Sequence, residues 1–133
     1  MVCLDTTFII DLINGRVSMD YLGENFSKEE IFITSPTIVE LIRGLNLKQN
    51  IKNIKPREKE ETERIISLFP VLELGKEEAI LAGEIDARLS NEGKIIDFED
   101  ILTGAICLLN NETLVTRNEK HFEKISGLKI ISY

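Results

Sequence analysis

Three acids are spaced along this chain as a catalytic metal would need them. Asp5 follows the apolar run Met1-Val2-Cys3-Leu4 and precedes Thr6-Thr7 and a second apolar stretch, Phe8-Ile9-Ile10. That pattern puts a carboxylate at the end of a first strand, and in open α/β sheets the carboxyl ends of parallel strands are where ligands bind. Glu40 closes Ser35-Pro36-Thr37-Ile38-Val39-Glu40, just beyond the run Ile31-Phe32-Ile33, and Asp100 heads the apolar segment 101–109. An acid set between apolar stretches loses hydration unless a cation or hydrogen-bond donors replace the water. Three carboxylates meeting in one pocket repel one another unless a divalent cation neutralises them. Mg²⁺ takes near-octahedral oxygen coordination and keeps several waters, so two or three carboxylates suffice and a substrate phosphate fills the rest. The chemistry such a site suits is hydrolysis of a phosphodiester by an activated water.

Each acid also has a plainer explanation. Asp97, Glu99 and Asp100 fall in the first turn of an expected helix, where the helix dipole alone favours acids. Asp97 and Asp100, three residues apart, have the spacing of a capping arrangement. Glu40 interrupts an apolar run as Asp5 does, but a surface glutamate fits that place equally well. Asp5 is the hardest of the three to explain by solubility.

The donor types narrow the metal. Cys3 lies in an expected buried strand and Cys107 on an expected buried helix face, so they form neither a close ligand pair nor a disulfide framework and read as small core hydrophobes. The single histidine, His121, has no soft partners with which to build a structural zinc site. Any metal is therefore held by oxygen, which selects Mg²⁺ or Mn²⁺ over zinc or iron.

Positioning the acids falls to alternating strands and helices. Short apolar runs predict strands near 2–4, 31–33, 71–73, 113–115 and 129–131, and apolar spacing predicts helices over 8–12, 36–47, 60–68, 76–89 and 98–109. Five short strands separated by helices imply βα units, an α/β fold with a mostly parallel sheet. Ser35-Pro36 resembles an N-cap followed by proline at the first helical position, Asp97 is placed to cap the last helix, and Gly44, Gly93 and Gly127 punctuate ends. The polar segment 46–56 is expected to be a mobile connection.

A chain of 133 residues fits one domain, 1–133, with a real core. No apolar run approaches the roughly 18 to 20 residues of a membrane span, and an acid at position 5 breaks the first apolar run, which argues against a secretory signal. A cytoplasmic address is the expectation. The net charge of −7 argues against a nucleic-acid partner. The distribution argues the other way, because residues 43–59 carry Arg43, Lys48, Lys52, Lys55, Arg57 and Lys59 against Glu58 alone. That block is either a solvated surface or a strip that meets phosphate or a partner.

Rival phosphate chemistries fail on single residues. A haloacid-dehalogenase-type phosphatase wants an aspartate where Thr7 stands, and a response-regulator receiver wants an acid at Thr6 and a lysine in place of Thr116-Arg117-Asn118. A phosphate-cradling glycine loop is missing from the sequence as well.

What remains resembles the PIN-domain ribonucleases, especially the VapC toxins of prokaryotic toxin–antitoxin pairs. The resemblance rests on Leu4-Asp5-Thr6-Thr7 with the apolar stretch after it, on Ser35 to Gly44, on Gly93-Lys94-Ile95-Ile96 leading to Asp100 and Ala105, on Leu114-Val115-Thr116-Arg117-Asn118 with His121-Phe122, and on the closing Gly127-Leu128-Lys129-Ile130. It implies a three-layer α/β/α sandwich in which Asp5 and Asp100 bind Mg²⁺ (or Mn²⁺) and Glu40 completes the ligand set. Thr6 and Thr116 match positions that orient those ligands. It further implies RNA as substrate, a homodimer, and silencing by a small antitoxin whose tail enters the active-site groove. Two positions depart from the family pattern. Asn118 stands where many members carry a fourth aspartate, which favours one bound metal, and Thr7 stands where asparagine is usual. Asp97, one turn before Asp100, is placed to compensate in part. Arg43, Lys48 and Lys52 are the candidate contacts for RNA or the antitoxin. A different reading of the same acids is a catalytically silent binding module, whose pocket holds a structural cation or an arginine-rich partner tail in bidentate pairing.

Overall fold

The computed structural model describes residues 1–49 and 56–133. In chain order the elements are β1 (Val2–Leu4), α1 (Thr6–Ile13), α2 (Met19–Phe26), β2 (Ile31–Thr34), α3 (Ser35–Gln49), α4 (Pro56–Leu68), β3 (Val71–Leu72), α5 (Lys76–Asn91), α6 (Phe98–Leu109), β4 (Thr113–Thr116), α7 (Glu119–Phe122) and β5 (Lys129–Ser132). The strands form one five-stranded sheet in the order β3-β2-β1-β4-β5, with every pair parallel. Val2 lies opposite Ile31 on one side and Thr113 on the other.

That order explains why β1 matters most. The chain builds outward from β1 through β2 to β3, then returns to lay β4 and β5 on the opposite side. The connections leaving β1 and β4 therefore diverge, and a crevice opens where they part, at the carboxyl ends of these two strands. Open α/β sheets bind ligands at such a switch point.

Because side chains alternate along a strand, the central strands feed two cores. Val2, Leu4 and Val115 face one layer, where they meet Phe8 and Ile9 of α1, Leu22 and Phe26 of α2, Leu41 of α3 and Ile65 of α4. Cys3 and Leu114 face the other, against Ala82, Ile85 and Leu89 of α5, Ile101, Ala105 and Cys107 of α6, and Phe122 of α7. Helices cover both faces, giving the expected α/β/α sandwich. Both cysteines are free and buried, as small core residues. Near the carboxyl end of β5, Tyr133 sets its ring edge-on to Phe8 at 4.9 Å between centroids, tying the last strand to α1.

The strands fall where the sequence puts them. Two helices do not appear in that reading. In α2 only Leu22 and Phe26 are buried, so its apolar signal is two residues one turn apart. The other, α7, is a single turn. The expected connection over 46–56 is corrected in part: α3 runs on to Gln49 and α4 starts at Pro56, while 50–55 lie outside the described residues. Gly44 lies inside α3 instead of at an end. Gly93 and Gly127 do follow expectation, with φ of 71° and 84° in the region that favours glycine. Ser35 is the first residue of α3 and not its cap, because its hydroxyl accepts the amide of Leu74 at 3.1 Å. Thr34 does the capping, its Oγ1 accepting the amide of Thr37 at 3.3 Å.

Phe8 is fully buried at the junction of α1, α2 and the sheet. Phe8→Ala should lower the unfolding free energy by about 3–5 kcal/mol, read from the urea midpoint at constant slope. A loss below about 1 kcal/mol would mean that α1 is not anchored by this ring.

Candidate active site

Asp5 leaves β1 and occupies the N-cap position of α1 in extended conformation, with φ −72° and ψ 161°. It is 2% exposed. Its Oδ2 accepts hydrogen bonds from the Thr116 hydroxyl at 2.7 Å and the Thr7 hydroxyl at 3.0 Å. Each hydroxyl is itself fixed by a backbone amide of the segment after β4: Asn118 N donates to Thr116 Oγ1 at 2.9 Å, and Arg117 N to Thr7 Oγ1 at 3.3 Å. With an oxygen lone pair so occupied, each hydroxyl turns its proton toward the carboxylate. Burial raises the Asp5 carboxyl, and the donors Thr116 and Thr7 oppose that rise.

Glu40 reaches the same crevice from α3. Its Oε1 accepts the Thr6 hydroxyl at 2.9 Å. Thr6 continues into a buried chain of hydroxyls that links four elements: Thr6 to Thr37 at 3.1 Å, Thr37 to Thr34 at 3.3 Å, and Thr34 to Thr103 of α6 at 3.3 Å. Burial pushes the Glu40 carboxyl from its ordinary 4.5 to about 7, with the charges of Asp5, Asp100 and Glu99 adding to the effect. Asp100, in the first turn of α6, is 8% exposed. Burial and then the charge of Asp5 raise it from 3.8 to about 6, while His121, whose Nδ1 is 3.2 Å from Asp100 Oδ2, holds it down. Asp5, Glu40 and Asp100 thus sense one another across one pocket. Their donors to a ligand are all carboxylate oxygens.

The remaining candidates are distributed unevenly. Thr6 and Thr116 touch Glu40 and Asp5 respectively. Asn118 is the N-cap residue of α7, beside the pocket through its amide on Thr116. Asp97 is the N-cap residue of α6 but makes no side-chain cap bond, which corrects the expected capping arrangement with Asp100. Arg43 is exposed on α3 and is not joined to the acids. Lys48 lies in α3 with its side chain undescribed, and Lys52 lies outside the described residues.

Residues missed in the sequence complete the site's frame. Buried Asp11 accepts bonds from Arg117 at 3.1 Å, Arg16 at 3.3 Å and the Tyr133 hydroxyl at 2.8 Å. Burial works against its charge, but the Tyr133 and Arg16 bonds and the Arg117 charge hold the Asp11 carboxyl below its usual range. The same Arg117 whose amide fixes Thr7 is thereby clamped to α1. A charged residue inside the otherwise apolar helix 8–12 was the available signal. Among the described residues, His121 is the only side chain able to carry positive charge that bonds to the acid trio. Beside Glu40 a groove opens between α1, α3 and α4, lined by Ile10, Ile13, Leu41, Leu45 and Thr62. No described helix is long and apolar enough to cross a membrane.

The parallel five-stranded sheet with helices on both faces is the fold of a PIN-type nuclease, and the chain belongs to the PIN domain family, which it matches over residues 2–128. Among its relatives, Ribonuclease VapC1 of Methanocaldococcus jannaschii is 30% identical over 97% of this chain and 85% of its own. The tRNA(fMet)-specific endonuclease VapC of Shigella flexneri is 26% identical over 95% of this chain and 92% of its own. DNA-bound VapBC from Salmonella typhimurium contains a chain that superposes with a TM-score of 0.84 at 28% identity, covering 99% of this chain and 98% of that one. VapBC2 from Rickettsia felis, bound to a promoter fragment, shares the fold at a TM-score of 0.84 and 24% identity, over 100% of this chain and 99% of that one.

The raised acids carry a pH signature. Asp100 and Glu40 titrate higher folded than unfolded, so between about pH 4 and pH 7 the native state holds more protons and its stability falls as pH rises. In chelator, the melting temperature should therefore decline across this window, and Mg²⁺ should restore it increasingly as the carboxyls ionise. A flat profile in chelator, or an equal Mg²⁺ effect at both ends, would contradict the shared pocket.

Proposed function

We propose that the protein is a divalent-cation-dependent endoribonuclease, the toxin of a VapBC-type pair, with its site at Asp5, Glu40 and Asp100. The observation that carries this reading is the convergence of these three carboxylates, all hard oxygen donors, at the switch point of the sheet. Such a donor set suits Mg²⁺ or Mn²⁺. Their mutual repulsion fits a bound cation as well, and the guanidinium groups of Arg117 and Arg16 are engaged by Asp11.

A cation held there would stabilise negative charge on the phosphodiester and make a water more acidic for in-line attack. The chain's own contributions are positional. Asp5, just past the end of β1, and Asp100 of α6 would hold the ion, with Glu40 of α3 completing the set. Thr116 and Thr7 fix the Asp5 carboxylate, and Thr6 fixes Glu40. Asn118 presents a neutral amide where a fourth acid would add charge.

A VapB-like antitoxin is the protein partner and RNA the substrate, and the groove beside Glu40 supports a binding surface next to the acids. The relatives are named as ribonucleases and endonucleases, which disfavours the silent binding module. Residues 1–133 act as one nuclease domain, as a homodimer in the cytoplasm. Arg43, Lys48 and Lys52 are the RNA contacts on this reading, because they give an acidic chain its one basic stretch.

The test is cleavage of a tRNA pool by purified protein with Mg²⁺, with Mn²⁺ and with chelator. Asp5→Asn and Asp100→Asn should reduce cutting to background, and Thr116→Val should cost about 10–100-fold through misplacement of Asp5. Undiminished metal-dependent cutting by Asp5→Asn would overturn the assignment. Charge reversal at Lys48 and Lys52 should weaken RNA binding and flatten its dependence on salt; an unchanged salt slope would remove these two lysines from the interface.

A further inference from the structure

Two arginines outside the acid pocket share one buried carboxylate. Asp11, its side chain 4% exposed, takes Arg117 Nη1 on both oxygens, at 3.1 Å and 3.0 Å, and Arg16 Nη1 at 3.3 Å. The Tyr133 hydroxyl adds a third donor at 2.8 Å and steadies the carboxylate. Each arginine is also tied by its own amide: Arg16 N donates to the Asp11 carbonyl at 2.8 Å, and Arg117 N to the Thr7 hydroxyl at 3.3 Å. Both residues are therefore held at two ends, yet the side chains of Arg16 and Arg117 stay 62% and 50% exposed.

An ion pair sets one cation against one carboxylate. Here two cations meet a single anion, so the cluster keeps a positive charge within a chain whose net charge is −7. Like charges held side by side repel, and a further anion relieves the repulsion. Each guanidinium reaches Asp11 through Nη1 alone, which leaves Nη2 and Nε of both without a protein partner among the described residues. The planar fork of these donors matches the oxygens of a phosphate. A purely structural clamp accounts for Arg117, which joins α1 to the turn after β4, but not for Arg16, which bridges to no second element.

The location fits the substrate. Arg117 follows Thr116 at the carboxyl end of β4, and through Thr7 its amide stands two hydrogen bonds from Asp5 Oδ2. Thr7 and Asp11, four apart on α1, offer both attachment points on one helix face. Asp11 lies six residues beyond Asp5. That is about 9 Å of helix rise, a distance that a short stretch of RNA backbone spans.

We propose that Arg16 and Arg117, oriented by Asp11, form a phosphate-binding site that seats the RNA backbone beside the acid pocket. This rests on the reading of the protein as a ribonuclease. The site performs no cleavage chemistry and sets where the strand lies.

The experiment is binding of a fluorescein-labelled tRNA pool to the full chain in excess chelator, so that nothing is cut, read by anisotropy across a salt series. Arg16→Gln and Arg117→Gln should each weaken binding and reduce its slope against log salt by about 0.7–0.9. Asp11→Asn makes the sharper comparison. It removes a negative charge, so diffuse attraction predicts tighter binding, whereas an oriented pair predicts weaker binding. Unchanged slopes in both arginine variants, which would leave the pair to a carboxylate of a protein partner, or tighter binding by Asp11→Asn, would overturn the site. Should Asp11→Asn not fold, the variants of the two exposed arginines decide the matter. If wild type binds no RNA, the ribonuclease reading falls with the site; if it binds RNA and cuts it once Mg²⁺ is restored, while the variants match its salt slope, only the site falls.

Discussion

The arrangement depends on holding three carboxylates together in one pocket, two of them, Asp5 and Asp100, buried and Glu40 half-buried. Like charges at close range in a medium of low dielectric are costly, and burial alone already disfavours each ionised acid. The protein meets that cost with hydroxyls and not with fixed cations. Thr116 and Thr7 donate to Asp5, and Thr6 donates to Glu40. A neutral donor steadies a carboxylate and fixes its direction without cancelling its charge. The guanidinium groups of Arg16 and Arg117 are instead drawn to Asp11, which stabilises the frame and leaves the acids free to demand positive charge from outside.

The sheet order makes this economy possible. Because β1 is central and β4 is laid beside it from the far half of the chain, the residues that leave these two strands face each other across a gap. Asp5 and its principal donor Thr116 come one from each side of that gap. The threonine chain beneath, from Thr6 through Thr37 and Thr34 to Thr103, ties both helical layers to the same floor, so the acids from α1, α3 and α6 share one reference. A site spread over several elements is thereby kept stiff by short polar links inside the core.

How much of this was legible follows from which signals are local. The five strands stand out as apolar runs bounded by turns, and the long helices as periodic segments, so the sheet and the placing of Asp5, Glu40 and Asp100 near its edge could be read directly. The order of the strands was not read, because it depends on which distant segments pair. The helix α2 was missed because only Leu22 and Phe26 report it, and α7 because one turn has no period. The hydroxyl chain is invisible in sequence: Thr34 and Thr103 are 69 residues apart, and nothing in either neighbourhood announces a partner. Asp11 was passed over within an apolar helix although it is the hub of three bonds. His121 was weighed for zinc and set aside for lack of soft partners, while its hard partner, Asp100, was 21 residues away.

The bond from Thr116 to Asp5 spans 111 residues of chain. Contacts of such long range are late to form, since the entropy of closing the loop must be met before the contact is gained. During synthesis β1 emerges well before β4, the strand that completes its carboxyl end. A nascent chain therefore carries Asp5 without the hydroxyl that orients it and without the acid from α6 that shares its pocket. The pocket is assembled only when the fold closes, so for part of its synthesis the chain holds the acid without its neighbours.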